Sequence, residues 1–100
     1  SKLYVKRIVG LPGETIQIKE GHIYINGNIL ENDINDTYIV TAGMAINEIH
    51  LGEDEYFCLG DNRNNSEDSR FSSIGMIKKE HIVGKVWMVL HPIEDMRFVK

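Results

Sequence analysis

One cysteine, two prolines and no apolar run longer than a few residues: these shortages in the 100-residue sequence each close off a class of protein. With Cys58 as the sole cysteine an internal disulfide is impossible, so the fold must be stable on packing alone. No stretch is long and apolar enough to cross a bilayer, and "SKLYVKR" at the start has no apolar segment running into a small-residue cleavage site, so neither a span nor a leader is expected here. Basic residues are also scarce: 11 Lys and Arg against 15 Asp and Glu leave a net charge of −4. A nucleic-acid partner is therefore not expected, because phosphate neutralisation needs a basic stripe. His22, His50, His81 and His91 are scattered without metal-ligand spacing, and no metal or cofactor is expected. Repeats, linkers and low-complexity tracts are missing too.

What is present is a chain of ordinary globular composition, 42% hydrophobic and 26% charged, long enough for one domain over residues 1–100. Its dominant pattern is short alternating β-branched stretches separated by Gly, Asn and Asp, which predicts an all-β fold of mostly antiparallel sheets and short hairpins with at most one or two helical turns. "LYVKRIVG" reads as one strand and "LPGE" as a turn. "TIQIK" and "HIYIN" flank "EG" as a two-residue hairpin, with Ile16 and Ile18 opposite Ile25 and Ile23, and "GNIL" extends it. "ENDINDTY" is a polar loop, "IHL" and "YFCL" are short strands, and "FSSIGMIKKEHI" is a turn with at most one helical turn. "IVGKVWMVL" reads as a single central strand ended by Pro92, with Trp87 in the core or at an apolar surface. Cys58 alternates within the apolar "YFCLG" and reads as an inert buried thiol.

Two features suggest chemistry. On a continuous strand Lys6 shares a face with Tyr4 and Ile8, so it points where apolar groups point. Desolvation there would lower its pKa and make it a neutral amine able to act as a general base; a lysine that buries its stem and keeps its charge in water is the bland alternative. The second feature is "GDNRNNSEDSR", residues Gly60 to Arg70, which holds no apolar side chain. Its alternating signs, Asp61 with Arg63 and Glu67 and Asp68 with Arg70, suit bidentate arginine–carboxylate pairing and a rigid loop. A calcium loop does not fit, because Arg63 falls where an oxygen ligand is needed.

"YVKRIVGLPGE" and "GDNRNNSEDSR", followed by "GMI" and "IVGKV", resemble the signature segments of type I signal peptidases, the membrane-bound serine proteases that remove leader peptides from exported proteins. The resemblance runs from Tyr4 to about Val89 with both motifs in order. It implies a signal-peptidase-like β fold and a Ser/Lys dyad in which Lys6 is the general base and Ser66 helps orient the lysine amine. It also implies that Arg7 pairs with Asp61 and that Asp68 and Arg70 form a second supporting pair. The polar loop would then pin the base strand. The family's nucleophile is a serine in a Ser-x-Met-like segment ahead of the lysine strand, next to a membrane anchor, and "SKLYV" does not resemble it. The chain is accordingly expected to be the C-terminal part of the catalytic domain, inactive by itself, and prone to self-association through an exposed sheet edge. Signal peptides and a lipid surface on the extracytoplasmic face of the cell membrane are the partners implied for the intact protein. Two other readings remain: a self-cleaving repressor-type Ser/Lys peptidase, and a non-enzymatic β binding module in which Lys6 is an ordinary solvated lysine.

Overall fold

The computed structural model describes residues 2–31, 37–83 and 88–91. Among the described residues ten short strands run β1 Lys2–Val5, β2 Arg7–Gly10, β3 Thr15–Lys19, β4 His22–Ile25, β5 Asn28–Ile29, β6 Ile49–His50, β7 Glu55–Leu59, β8 Ile77–Lys78, β9 Ile82–Val83 and β10 Met88–His91. They form three antiparallel sheets, in the orders β1-β10-β9, β2-β7-β8 and β5-β4-β3-β6. Among the described residues there is no α-helix; helical geometry is confined to three 3-10 turns at Gly43–Ile46, Arg63–Asn65 and Lys79–His81. The fold is all-β.

Sequence chemistry explains the four-stranded sheet most directly. Ile16 pairs with Ile25 and Ile18 with Ile23, so alternation turns these apolar side chains onto one face. The connection Glu20–Gly21 has φ of 51° and 79°, both positive as a two-residue type I′ hairpin turn requires. Asn26–Gly27 repeats the device with φ of 52° and 83° and leads into β5. The buried Ile16, Ile18 and Ile23 then pack with Ile39, Ala45, Leu51, Phe57 and Leu59 into the main core. A second small cluster, Cys58, Ile74 and Ile77, lies on the sheet of β2, β7 and β8. Phe57 and Leu59 of β7 face the first cluster and Cys58 the second, so β7 separates two apolar layers.

Three expectations about strands change. "LYVKRIVG" is two strands, because β1 pairs with β10 whereas β2 pairs with β7. A chain that serves two sheets must rotate between them, and the residue at that switch is Lys6, which belongs to neither strand. The argument that Lys6 shares a pleat face with Tyr4 and Ile8 therefore does not hold; its burial comes from the sheet junction. "IVGKVWMVL" is likewise not one strand: Val83 pairs with Met88 and Ile82 with Val89, so the chain reverses between β9 and β10. Trp87 lies outside the described residues, as does most of the "ENDINDTY" loop. Finally, "FSSIGMIKKEHI" contains β8, whose Ile77 and Lys78 pair with Tyr56 and Glu55. Two residues recruited to a free sheet edge carry no alternation for a sequence reading to find.

Candidate active site

The register of β2 on β7 sets the site. Arg7 lies opposite Leu59, so one residue further back Lys6 comes opposite Gly60, the first residue of the polar loop. A Cβ at Gly60 would fall 2.5 Å from Ser66 Oγ and 3.4 Å from Lys6 Nζ, so the serine hydroxyl and the lysine amine both occupy the space above this glycine. Lys6 is half-buried. Burial is the largest influence on its amine and lowers the pKa below the usual 10.5; Asp68 and Glu67 act against that shift, Arg70 adds to it and Cys58 opposes it.

Asp68 organises the loop. Both it and Arg70 are buried, and they meet as a bidentate pair, Arg70 Nε to Asp68 Oδ1 at 2.8 Å and Arg70 Nη2 to Asp68 Oδ2 at 2.8 Å. Asp68 Oδ2 also accepts the Ser66 hydroxyl at 2.7 Å and the Gly60 N–H at 3.1 Å, and Oδ1 accepts the Arg70 N–H at 3.2 Å. Burial alone would raise the Asp68 pKa, but these donors outweigh it and hold the carboxyl below 3.8. Arg70 in turn donates to Thr41 O, Arg63 O and Ser66 Oγ, so its fork ties three stretches of chain together. The other pair is looser: Arg7 grips Asp61 through Nε–Oδ1 and Nη2–Oδ2 bonds of 2.9 and 3.0 Å, with Asp61 54% exposed. That grip lowers the Asp61 pKa, with help from the charge of Arg63.

The structure thus brings together Lys6, Ser66, Asp68 and Arg70 over Gly60, with Arg7 and Asp61 each one residue further along, after Lys6 and Gly60. Glu67 is exposed. Cys58 is buried beside the site, its thiol pushed up to about 12 by desolvation and by Asp68, which leaves it protonated and inert at neutral pH. Sequence reasoning gave no structural role to Ser69, which is buried and accepts the Cys58 N–H at 2.9 Å. Nor did it single out the burial of Arg63 or the carboxamide of Asn64, which bonds to the chain at Tyr38 and Val40. Only the density of polar residues hinted at these, since their partners come from outside the motif. Beside Ser66 lies an open depression of about 380 Å³, lined by Asn64, Asn65, Ser66, Glu67 and Phe71. Among the described residues no group of three His, Cys, Asp or Glu side chains could hold a metal ion, and no helix is long and apolar enough to cross a membrane.

Comparison with known proteins shows the family of the chain. The family profile described as signal peptidase, peptidase S26, matches residues 1–91. A signal peptidase I P of Bacillus subtilis subsp. natto is 38% identical over 97% of this chain and 56% of its own length. A probable signal peptidase I-2 of Synechocystis is 33% identical over 90% of this chain and 39% of its own. The crystal structure of a signal peptidase I from Enterococcus faecalis superposes with a TM-score of 0.57 at 31% identity, covering 85% of this chain and 80% of that one. The chain spans about half the length of the curated bacillar relatives it matches. With the family profile matching nearly the whole chain and the solved relative sharing its all-β architecture, the chain belongs to the signal peptidase, peptidase S26, family.

Proposed function

We propose that this chain carries the general base of a serine endopeptidase that removes N-terminal signal peptides from exported proteins, with Lys6 as the base and Ser66 as the residue that orients it. The observation that supports this reading best is that Lys6 Nζ and Ser66 Oγ both border the space above Gly60, with the amine partly desolvated. Ser66 spends its one hydroxyl proton on Asp68, so its lone pairs remain to accept. A neutral Lys6 can donate one N–H to Ser66 and aim its own lone pair at a nucleophile. It then takes the proton from a serine hydroxyl as that oxygen attacks the scissile carbonyl, and returns it to the leaving amine. Asp68 and Arg70 hold Ser66 in place, while Arg7 and Asp61 fasten the strand after Lys6 to the loop. No step calls for a cofactor.

The nucleophile in this reading is a serine of the Ser-x-Met-like segment that family members carry ahead of the lysine strand. The substrate binds at a lipid surface on the extracytoplasmic face of the cell membrane. A half-buried amine favours this reading over a binding module, which would keep Lys6 solvated.

Cleavage of a leader peptide by the full-length protein tests it. Lys6→Met should abolish turnover, and kcat/KM of the wild type should rise with pH through an apparent pKa below 10.5. Turnover that survives Lys6→Met would exclude Lys6 as the base. The chain is expected to self-associate through a sheet edge; a constant monomeric mass by light scattering across a concentration series would refute that expectation.

A further inference from the structure

The stretch from Tyr38 to Met44 is far in sequence from the polar loop but bonded to it along its length. Ile39 is buried in the main core and donates its N–H to Gly21 O at 3.0 Å, facing the β3–β4 turn. On the opposite side Val40 N donates to Asn64 Oδ1 at 2.9 Å and Asn64 Nδ2 donates to Tyr38 O at 3.0 Å. One carboxamide thus gives this stretch the donor and acceptor pair that a neighbouring strand would give. A little further on, Thr41 O accepts from Arg70 Nη1 at 3.0 Å and Met44 N donates to Arg70 O at 2.7 Å. Arg70 also donates to Ser66 Oγ and pairs with Asp68. The bonds close a ring: Asn64 to the stretch at 38–40, on to Thr41, through Arg70 to Ser66, and back along two residues of chain to Asn64.

We infer that Asn64 is a positioning residue: its two bonds to the Tyr38–Val40 backbone brace the loop that carries Ser66, and so fix where the Ser66 hydroxyl stands beside Lys6 Nζ. Without the brace Arg70 alone ties the loop to this stretch. A loop that can lift lets water reach the Lys6 amine. Among the described residues the charged and titratable groups that act on that amine are Asp68, Glu67, Arg70 and Cys58, and burial outweighs each of them, so added water raises its pKa. This inference rests on Lys6 being the base, and the test separates the two.

The Lys6 amine is titrated by NMR in the selectively labelled protein, for the wild type, Asn64→Ala and Asn64→Asp, with hydrogen exchange of the Val40 amide read in each. Asn64→Ala removes both bonds. Asn64→Asp keeps an acceptor for Val40 N and loses the donor to Tyr38 O. The expected result is faster Val40 exchange and a Lys6 pKa that moves up towards 10.5 in Asn64→Ala, with the Val40 exchange of Asn64→Asp between it and the wild type. In the full-length protein kcat should fall about tenfold in Asn64→Ala with little change in KM, since misplacement of a base costs the chemical step. A Lys6 pKa that stays depressed while Val40 exchanges freely would overturn the inference, leaving Asn64 a structural tie. If Asn64→Ala does not fold, the uncharged Asn64→Ser is read by the same criterion. An ordinary pKa in the wild type would overturn the base reading, and this inference with it.

Discussion

Gly60→Ala should damage the site more sharply than its size suggests. The added Cβ would stand 2.5 Å from both Cβ and Oγ of Ser66, closer than real contacts allow, and 3.4 Å from Lys6 Nζ. Gly60 cannot retreat easily, since its N–H is bonded to Asp68 Oδ2 and Leu59 before it is buried. Ser66 must therefore move. Overpacking of this kind costs about 1–3 kcal/mol, and a displaced Ser66 would also give up its 2.7 Å bond to the Asp68 carboxylate, worth about another 1 kcal/mol or more. A loss of about 2–4 kcal/mol follows, of the same size as a large single-site effect in a small domain. Gly13→Ala is the control. Gly13 has φ of 85° but nothing within 4 Å of its missing Cβ, so only backbone strain of about 1 kcal/mol is expected. Urea denaturation of the two variants gives the stabilities, and NMR titration of the Lys6 amine shows whether the site has moved. Equal losses in the two variants, with the Lys6 pKa unchanged in Gly60→Ala, would refute the packing of Ser66 and Lys6 over Gly60.

The two arginine–carboxylate pairs should behave differently under urea denaturation. Arg70→Met strands a fully buried Asp68 and should cost about 3–5 kcal/mol, whereas Arg7→Ala breaks a pair whose Asp61 is 54% exposed and should cost below about 1 kcal/mol. Lys6→Met should raise the melting temperature at neutral pH while removing the base: a lowered lysine pKa means that the unfolded chain binds the proton more readily, so a charged Lys6 opposes folding, most strongly below its folded pKa and no longer above 10.5. At the alkaline end Cys58 contributes. Its pKa of about 12, against 9.0 unfolded, makes the folded state hold a proton that the unfolded chain releases, so stability is full below pH 9 and falls by something on the order of 3–4 kcal/mol towards pH 12; Cys58→Ala should flatten that limb relative to the wild type. At the acid end Asp68, lowered from 3.8, should withdraw its contribution only as pH falls below that value, and Asp68→Asn should weaken the acid dependence of the melting temperature.

The β character, the main hairpin and its register were legible in the sequence. These depend on neighbours close along the chain: the alternation of Ile16, Ile18, Ile23 and Ile25, and a Glu20–Gly21 turn that accepts positive φ. The sequence also made Lys6 and the Gly60–Arg70 loop stand out, because a lysine among apolar residues and eleven residues without an apolar side chain are anomalies of composition. Tertiary structure decided what those anomalies do. Lys6 is half-buried because the chain changes sheets there, a property of which strands pair with β1 and β2 and not of any local pattern. The distant partners of Arg70 and Asn64 lie 24 to 29 residues away at Tyr38, Val40 and Thr41, in a stretch whose sequence shows no sign of the contact. The same limit explains the strands misread near the C-terminal end: β8 exists because β7 has an edge to offer, and β9 and β10 are two strands because they pair with each other. Pairing between distant segments is settled only when burial of the whole core outweighs the entropy of bringing them together, and a local reading of the sequence carries no trace of that balance.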